Sequence, residues 1–291
     1  MPTTIPTTTS STRPGSPSTG DAYFETDTNK YIIYDGANWR GYNSDGAVNP
    51  PLSNSYSIDL DGAGDYLDFG STAVVNTSSA FSISTWFKLD DWQNGYPGIC
   101  LLKTGGTTGF VVSLSQTSTY AGVWFGSSSG FSGFSTASSS LASTISSGWH
   151  HLALTYDGVS PTASSSFTVY IDGNVRTSST SVAIGTCPNN NYIGLGHNTS
   201  ITYLDGLMDE FALYDFKLTS PNVDYLYNSG NPTNPNTLNP VGWWRMGDTG
   251  TEGSSSSSTV SNAASGSNSG GSNLDATLQG GALYSTTVPS S

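Results

Sequence analysis

Two of the chain's three histidines, His150 and His151, stand side by side in Gly-Trp-His-His-Leu-Ala-Leu-Thr-Tyr-Asp-Gly, residues 148–158. Such a pair suggests a metal site or a general base. The aromatic and apolar run from Trp149 to Tyr156, closed by Asp157-Gly158, reads instead as a strand entering a turn. Neighbouring strand residues point to opposite faces, so the two rings cannot close on one ion as an H-x-H pair could. They read as structural histidines. Carboxylates offer a second chemistry. Asp59, Asp61 and Asp65 surround a Gly-rich turn in "DLDGAGD". They are oxygen donors of the kind a hard cation takes, although no bidentate Glu closes the loop. Ordinary turn capping by Asp is the alternative. In "MDEFALYD", Asp209 and Glu210 are adjacent and so are expected to face opposite ways, with Asp215 beyond them. No Cys/His dyad is apparent. The chain is expected not to be an enzyme.

Sugar recognition is a third chemistry. It needs a flat ring for the CH face of the sugar and amide, acid or backbone groups for its hydroxyls. Three loops offer these: Trp92, Asn94 and Tyr96 in "DDWQNGYPG"; Phe131 and Phe134 in "SSSGFSGFSTASSS"; His197 and Tyr203 in "GLGHNTSITY". Large aromatics in Gly/Ser-rich loops are costly to expose without a use. Capping the ends of the fold, or meeting another subunit, is the alternative. Trp86, Trp124, Trp149, Trp243 and Trp244 fall in strand-like runs and read as packing residues.

The elements that must position these residues are strands. Charged residues make up only 10% of the 291, and Ser, Gly, Thr, Asn and Tyr abound. This suits short strands joined by turns rather than helices. Short strand patterns recur between turn signals from Tyr56 to Tyr214, the pattern of an all-β sandwich or jelly roll. One short helix is expected near 220–229, capped by Ser220, opened by Pro221 and stopped by Gly230. Residues 1–20 read as an extended Thr/Ser/Pro-rich arm, and 21–51 as a small β-meander with a linker. Residues 231–291 read as a linker and closing strands, with 254–271 a flexible Ser/Gly/Asn loop. A net charge of −13 with eight basic residues argues against nucleic-acid and anionic-membrane partners. No apolar run is long enough to span a bilayer, and residues 1–20 do not resemble a secretory signal. Cys100 and Cys187 allow one disulfide, but two buried thiols are the favoured reading.

The motifs "DGAGDYLDF", "FSISTWFKL", "GWHHLALTYDG", "FTVYIDGNV", "YIGLG" and "LDGLMDEFALYDFKLTSPNVDYLY" stand in an order that resembles concanavalin A-like, laminin-G-type jelly-roll modules, over about residues 52–230. "GWWRMGD" and "ATLQGGALY" resemble the segment that usually opens such modules. Their place near the end implies that C-terminal strands complete the sandwich. The resemblance implies a structural calcium, with Asp209 and Asp248 as candidate ligands beside Asp59, Asp61 and Asp65. Glucanases of this fold carry E-x-D-x-x-E along one strand, and that pattern is absent here. "RPGSPSTGDAYFETDTNKYIIYDGANWRGY" resembles segments near the start of bacteriophage structural and tail-fibre proteins. Together these imply a non-enzymatic virion protein, a capsid or tail decoration or fibre. Its arm would join other virion proteins, and its lectin-like domain would face host-surface polysaccharide. A homo-oligomer, guessed to be a trimer, would raise avidity. The alternative is a secreted or cell-surface bacterial carbohydrate-binding module, with a glycoside hydrolase a distant third.

Overall fold

Alternation along one strand sets the frame. Phe81, Ile83, Phe87 and Leu89 enter the main core cluster, while Ser82, Ser84 and Trp86 between them are buried on the other face. A strand covered on both sides belongs at the centre of a layered sheet. The computed structural model describes residues 6–9, 11–26, 30–34, 36, 39–42, 52–76, 78–92, 96–103, 109–116, 121–127, 133–136, 145, 148–161, 163–176, 179–182, 190–197, 201–267 and 269–289. The chain divides into two compact units, Met1–Leu52 and Ser53–Ser291.

The first unit is a four-stranded sheet in the order β1 (Thr7–Thr8), β2 (Ala22–Glu25), β3 (Lys30–Tyr34), β4 (Trp39–Tyr42). β1 runs parallel to β2, and the other pairs are antiparallel. Trp39 packs edge-on against Tyr23, with ring centroids 5.6 Å apart, and against Tyr34 at 5.4 Å. Arg13 pairs with the buried Glu25. The expected extended arm therefore holds structure of its own: Thr7–Thr8 adds a strand, and Arg13 is tied to the meander.

The second unit is an all-β sandwich, the class the strand spacing implies. One sheet runs β14 (Asn174–Arg176), β13 (Phe167–Ile171), β12 (Trp149–Tyr156), β7 (Phe81–Asp91), β19 (Asp205–Tyr214), β5 (Ser57–Asp61), β23 (Leu283–Ser285), with β20 (Gly242–Trp244) also on β19. The other runs β15 (Ser179–Val182), β11 (Gly133–Ser135), β10 (Ala121–Ser127), β9 (Gly109–Gln116), β8 (Gly98–Lys103), β16 (Tyr192–Ile193), β6 (Tyr66–Asp68), β22 (Ala276–Gln279), β21 (Thr259–Val260). Aromatic contacts join the layers. Phe81 meets Phe110 at 5.0 Å, and Phe167 meets Phe125 at 5.3 Å. Cys100 is a buried thiol in this core; Cys187 lies outside the described residues.

The histidines lie on opposite faces of β12. His150 Nδ1 bonds Asp172 Oδ2 at 2.8 Å. His151 Nε2 bonds Ser84 Oγ at 2.8 Å, beneath Trp86 and Tyr227. Tyr227 belongs to helix α1 (Ser220–Tyr227), which covers that outer face. Its cap is Thr219 rather than Ser220, in a reciprocal capping box with Asn222, and its end is Asn228 in the left-handed region rather than Gly230. Thr219 wins because its side chain lies three residues before the amide side chain that can answer it.

Residues 254–271, expected to be a flexible loop, hold a turn of helix over Glu252–Ser255 and strand β21. Asn262 is the reason. Its Oδ1 accepts from Trp243 N (2.8 Å) and Ala264 N (3.1 Å), its Nδ2 donates to Gly271 O (3.1 Å), and its N–H donates to Asp275 Oδ1 (2.8 Å). Low-complexity composition hides a single polar hub of this kind. Asn262→Ala is expected to cost about 1–3 kcal/mol in urea unfolding and to open this segment to limited proteolysis. An unchanged midpoint and an unchanged digest would show that the hub does not order it.

Candidate functional site

The outward residues of the nine-stranded sheet carry its chemistry. Leu67 of β6 and Ile193 of β16 enter the core. Alternation therefore sends Tyr66, Asp68 and Tyr192 to the outer face. Tyr192 stands directly opposite Asp68 on one side and Leu101 on the other. A hairpin of β17 (Leu195–His197) and β18 (Ile201–Tyr203) folds back over this face. It comes so close at Gly98 and Gly196 that a Cβ on Gly98 would overlap the Gly196 backbone. Only paired glycines permit that approach. The hairpin brings Tyr203 over Tyr66, stacked at 6.3 Å and 29°, while Tyr66 meets Tyr192 edge-on at 5.2 Å. The three rings pack on Leu101, Val111 and Leu195 and remain half-buried.

Polar groups border the rings. Asn190 Nδ2 donates to Asp68 Oδ2 at 3.3 Å, and Asn190 also hydrogen-bonds the Tyr192 phenol. Asp68 Oδ1 accepts from Gly70 N at 2.8 Å, which fixes the carboxylate. Burial first, then the Asp68 charge and Tyr66, push the Tyr192 phenol above its ordinary value. The cluster offers phenol hydroxyls, a carboxyl group and an amide beside ring faces. Such a set can hold sugar hydroxyls and CH groups.

Tyr203 is the one residue of this cluster named among the sequence candidates. Trp92, expected as a sugar platform, packs against the sandwich core. Tyr96 is half-buried. Asn94 and Phe131 lie outside the described residues, and for Phe134 and His197 only the strand backbone is described. Tyr66, Asp68, Asn190 and Tyr192 were missed. Their signal was the alternation in "YLD" and "YI", but the pairing of β6 with β16 joins distant parts of the chain.

The acidic candidates fix turns and buried joints. Asp61 Oδ1 accepts from Ala63 N at 2.8 Å. Asp65 is buried and accepts from Asp61 N (3.2 Å) and Gly281 N. Burial first, then Asp90, Asp205 and Asp65, raise the Asp59 carboxyl above its ordinary value. Asp248 Oδ2 accepts from Ser55 N (2.9 Å) and Tyr56 N (3.2 Å). Asp209 Oδ2 accepts from Asn54 Nδ2 and its Oδ1 from Glu210 N, both at 2.8 Å. Among the described residues no three His, Cys, Asp or Glu side chains form a metal-holding group. Asp61, Asp65, Asp209 and Asp248 each accept N–H donors.

Asp209 and Glu210 depart from the expected opposite orientation. The ladder between β19 and β7 shifts register between Asp209 and Ala212, and Glu210 has φ +48°. This bulge breaks the alternation. Met208 and Phe211 both enter the core, and the intervening carboxyl groups act on each other. Glu210 Oε2 accepts from Trp243 Nε1, and its Oε1 lies 3.4 Å from Arg245 Nε. Burial raises the Glu210 carboxyl to about 7 against the pull of Arg245 and Trp243. Burial and the Glu210 charge lift Asp209 well above the carboxylate range. Both groups are enclosed by protein partners, the surroundings of a structural joint rather than of an open cleft.

A family model described as the concanavalin A-like lectin/glucanases superfamily, Laminin_G_3, matches residues 61–224. No curated protein sequence matches. Among solved structures, domain 4 of the GH43 extracellular arabinanase AbnA from Geobacillus stearothermophilus, in complex with arabinotriose, is 21% identical over 59% of this chain and 87% of its own, with TM-score 0.36. Mouse laminin alpha1 domains LG4-5 are 11% identical over 64% of this chain and 50% of their own, with TM-score 0.38. A Trypanosoma rangeli sialidase in complex with sialic acid is 17% identical over 68% of this chain and 31% of its own, with TM-score 0.37. The chain thus spans half of the laminin structure and under a third of the sialidase. These likenesses carry no argument about ligand or activity.

The raised Glu210 value has a consequence for stability. From the ordinary carboxylate range up to about 7, the folded chain holds more protons than the unfolded one, so stability falls as pH rises through that window. Burial lowers His151 to about 4, which acts oppositely: stability is lost as pH falls from 6.5 towards 4. Comparing wild type with Glu210→Gln cancels the histidine. The wild type is expected to gain roughly 2–3 kcal/mol relative to the variant between pH 7.5 and pH 5, read from urea unfolding. A flat difference across that range would mean that Glu210 is ionised in the fold.

Proposed function

The chain belongs to the concanavalin A-like lectin/glucanase superfamily, and from that premise we propose that it binds carbohydrate without cleaving it. The fold is that of a lectin-like β-sandwich. The observation that carries the proposal is the outer face of the nine-stranded sheet, where Tyr66, Tyr192 and Tyr203 meet beside Asp68 and Asn190. Half-buried rings with fixed polar neighbours are pre-organised for a sugar, because little side-chain freedom is lost on binding.

We carry the proposal to a biological setting: a bacteriophage virion protein whose N-terminal unit joins the particle and whose sandwich grips host-surface polysaccharide. Two features support this. Residues 13–42 resemble virion attachment segments, and Met1–Leu52 forms a compact unit with its own aromatic packing. Several copies per particle, such as a homotrimer, would multiply weak contacts into useful avidity.

The test is titration of the purified chain against a panel of neutral and acidic glycans. Tyr66→Ala and Tyr192→Ala are each expected to weaken binding about tenfold, the equivalent of ~1.4 kcal/mol, with circular dichroism unchanged. EDTA is expected to leave the affinity unchanged, since the proposed face binds through rings, an amide and the Asp68 carboxyl rather than through a cation. Full binding by the Tyr66→Ala/Tyr192→Ala double variant would place the sugar elsewhere. Hydrolysis of any bound glycan would overturn the non-enzymatic assignment.

A further inference from the structure

Beyond the tyrosine face, a groove of about 680 Å³ lies where the chain passes from β22 of one sheet to β23, the last strand of the other. That volume lies within the range of small-ligand sites. Tyr56 and Tyr284 line it, edge-to-face at 6.5 Å and 76°. Ser256, Ser257 and Thr286 supply hydroxyls across from them. The rings are held in place. The Tyr284 phenol donates to Thr259 O at 3.3 Å. A Cβ on Gly253 would overlap the Tyr56 ring, and one on Gly247 would stand 2.7 Å from the Tyr284 ring. Asp65 pins the floor by accepting from Gly281 N. β23 pairs only with β5, so it is an edge strand, and its Leu283 is 67% exposed.

Gln279 joins this groove to the tyrosine face. It lines the groove and is the cross-strand partner of Tyr66. Residues directly opposite in an antiparallel pair share a face. With β16, β6 and β22 as successive neighbours, Tyr192 and Gln279 stand roughly 10 Å apart at ordinary strand spacing, and the groove lies beyond. The path is longer than one sugar ring. No Lys or Arg is among the described groove-lining residues, and the tyrosine face carries the Asp68 carboxylate in a chain of net charge −13. An acidic polymer would find no cationic partner in the groove and would meet the Asp68 carboxyl on the face.

We propose that the Tyr56–Tyr284 groove is a second subsite, continuous with the tyrosine face through Gln279, and that together they bind an internal run of a neutral polysaccharide rather than a single terminal sugar. This rests on the carbohydrate-binding function proposed above.

Calorimetric titration with di-, tetra- and hexasaccharides of glucose, galactose, mannose, xylose and arabinose tests it, with polygalacturonate as the acidic contrast. Affinity for the bound sugar series is expected to climb at least tenfold from two to six units. Gly253→Ala, which displaces the Tyr56 ring, and Gln279→Ala, a half-exposed residue, should each bring the hexasaccharide down to the disaccharide level and leave the disaccharide unchanged. Tyr66→Ala should weaken both lengths. A length dependence that survives both groove variants, no length dependence in the wild type, or tighter binding of polygalacturonate overturns the second subsite while the tyrosine face stands. Undiminished binding of both lengths by Tyr66→Ala removes the face itself, and no binding of any neutral oligomer removes both.

Discussion

The contact between Arg245 and the buried Glu210 is the joint on which the sandwich depends. Arg245 also donates to Ser53 O and Asp248 O, while Asn54 donates to Asp209 and Asp248 takes the N–H groups of Ser55 and Tyr56. Three distant stretches of chain meet there: the first residues of the sandwich, the centre of β19, and the strand end after Trp244. Removing Arg245 would take away the pull that opposes burial and leave the Glu210 carboxyl still readier to hold a proton. The joint holds the late strands against the early ones, and every later feature rests on that seam.

The seam explains how the last fifth of the chain can serve both layers. β20 and β23 join one sheet, while β21 and β22 join the other. The early strand β5 is caught between β19 and β23. Closing the sandwich in this way carries the chain from β22 in one sheet to β23 in the other over Gly280–Ala282, and the groove lies along that crossing. Glycines make the closure possible where backbones or rings must touch, as at Gly98 beneath the hairpin and Gly253 beneath Tyr56.

The acidic pair Asp209 and Glu210 is enclosed and bonded, His151 is packed into the sheet and His150 is paired with Asp172. The tyrosine face and the groove are lined by aromatic, hydroxyl and amide groups, with Asp68 as the carboxyl of the face. Such surfaces gain little from any one contact. Their strength comes from several rings fixed in advance at the spacing of a sheet, which lowers the ordering cost of each contact.

Local physics made part of this legible in sequence. Period-two alternation placed β7 and β12, and the two faces of β12 separated His150 from His151, because side-chain direction in a regular strand depends on the strand alone. The helix near 220 was legible for the same reason, though its cap moved by one residue. Tertiary structure decided the rest. At Glu210 a bulge overrode alternation, since the pull of Trp243 and Arg245, strands away in sequence, outweighed the regular ladder. Residues 254–271 carry no local pattern, yet the hydrogen bonds of Asn262 order them. Tyr66, Tyr192 and Tyr203 look alike in sequence to any packed strand tyrosine. Only strand pairing and the folded-back hairpin set them side by side, because the contacts that make a surface are long-range and leave no trace in the spacing of the residues that form it.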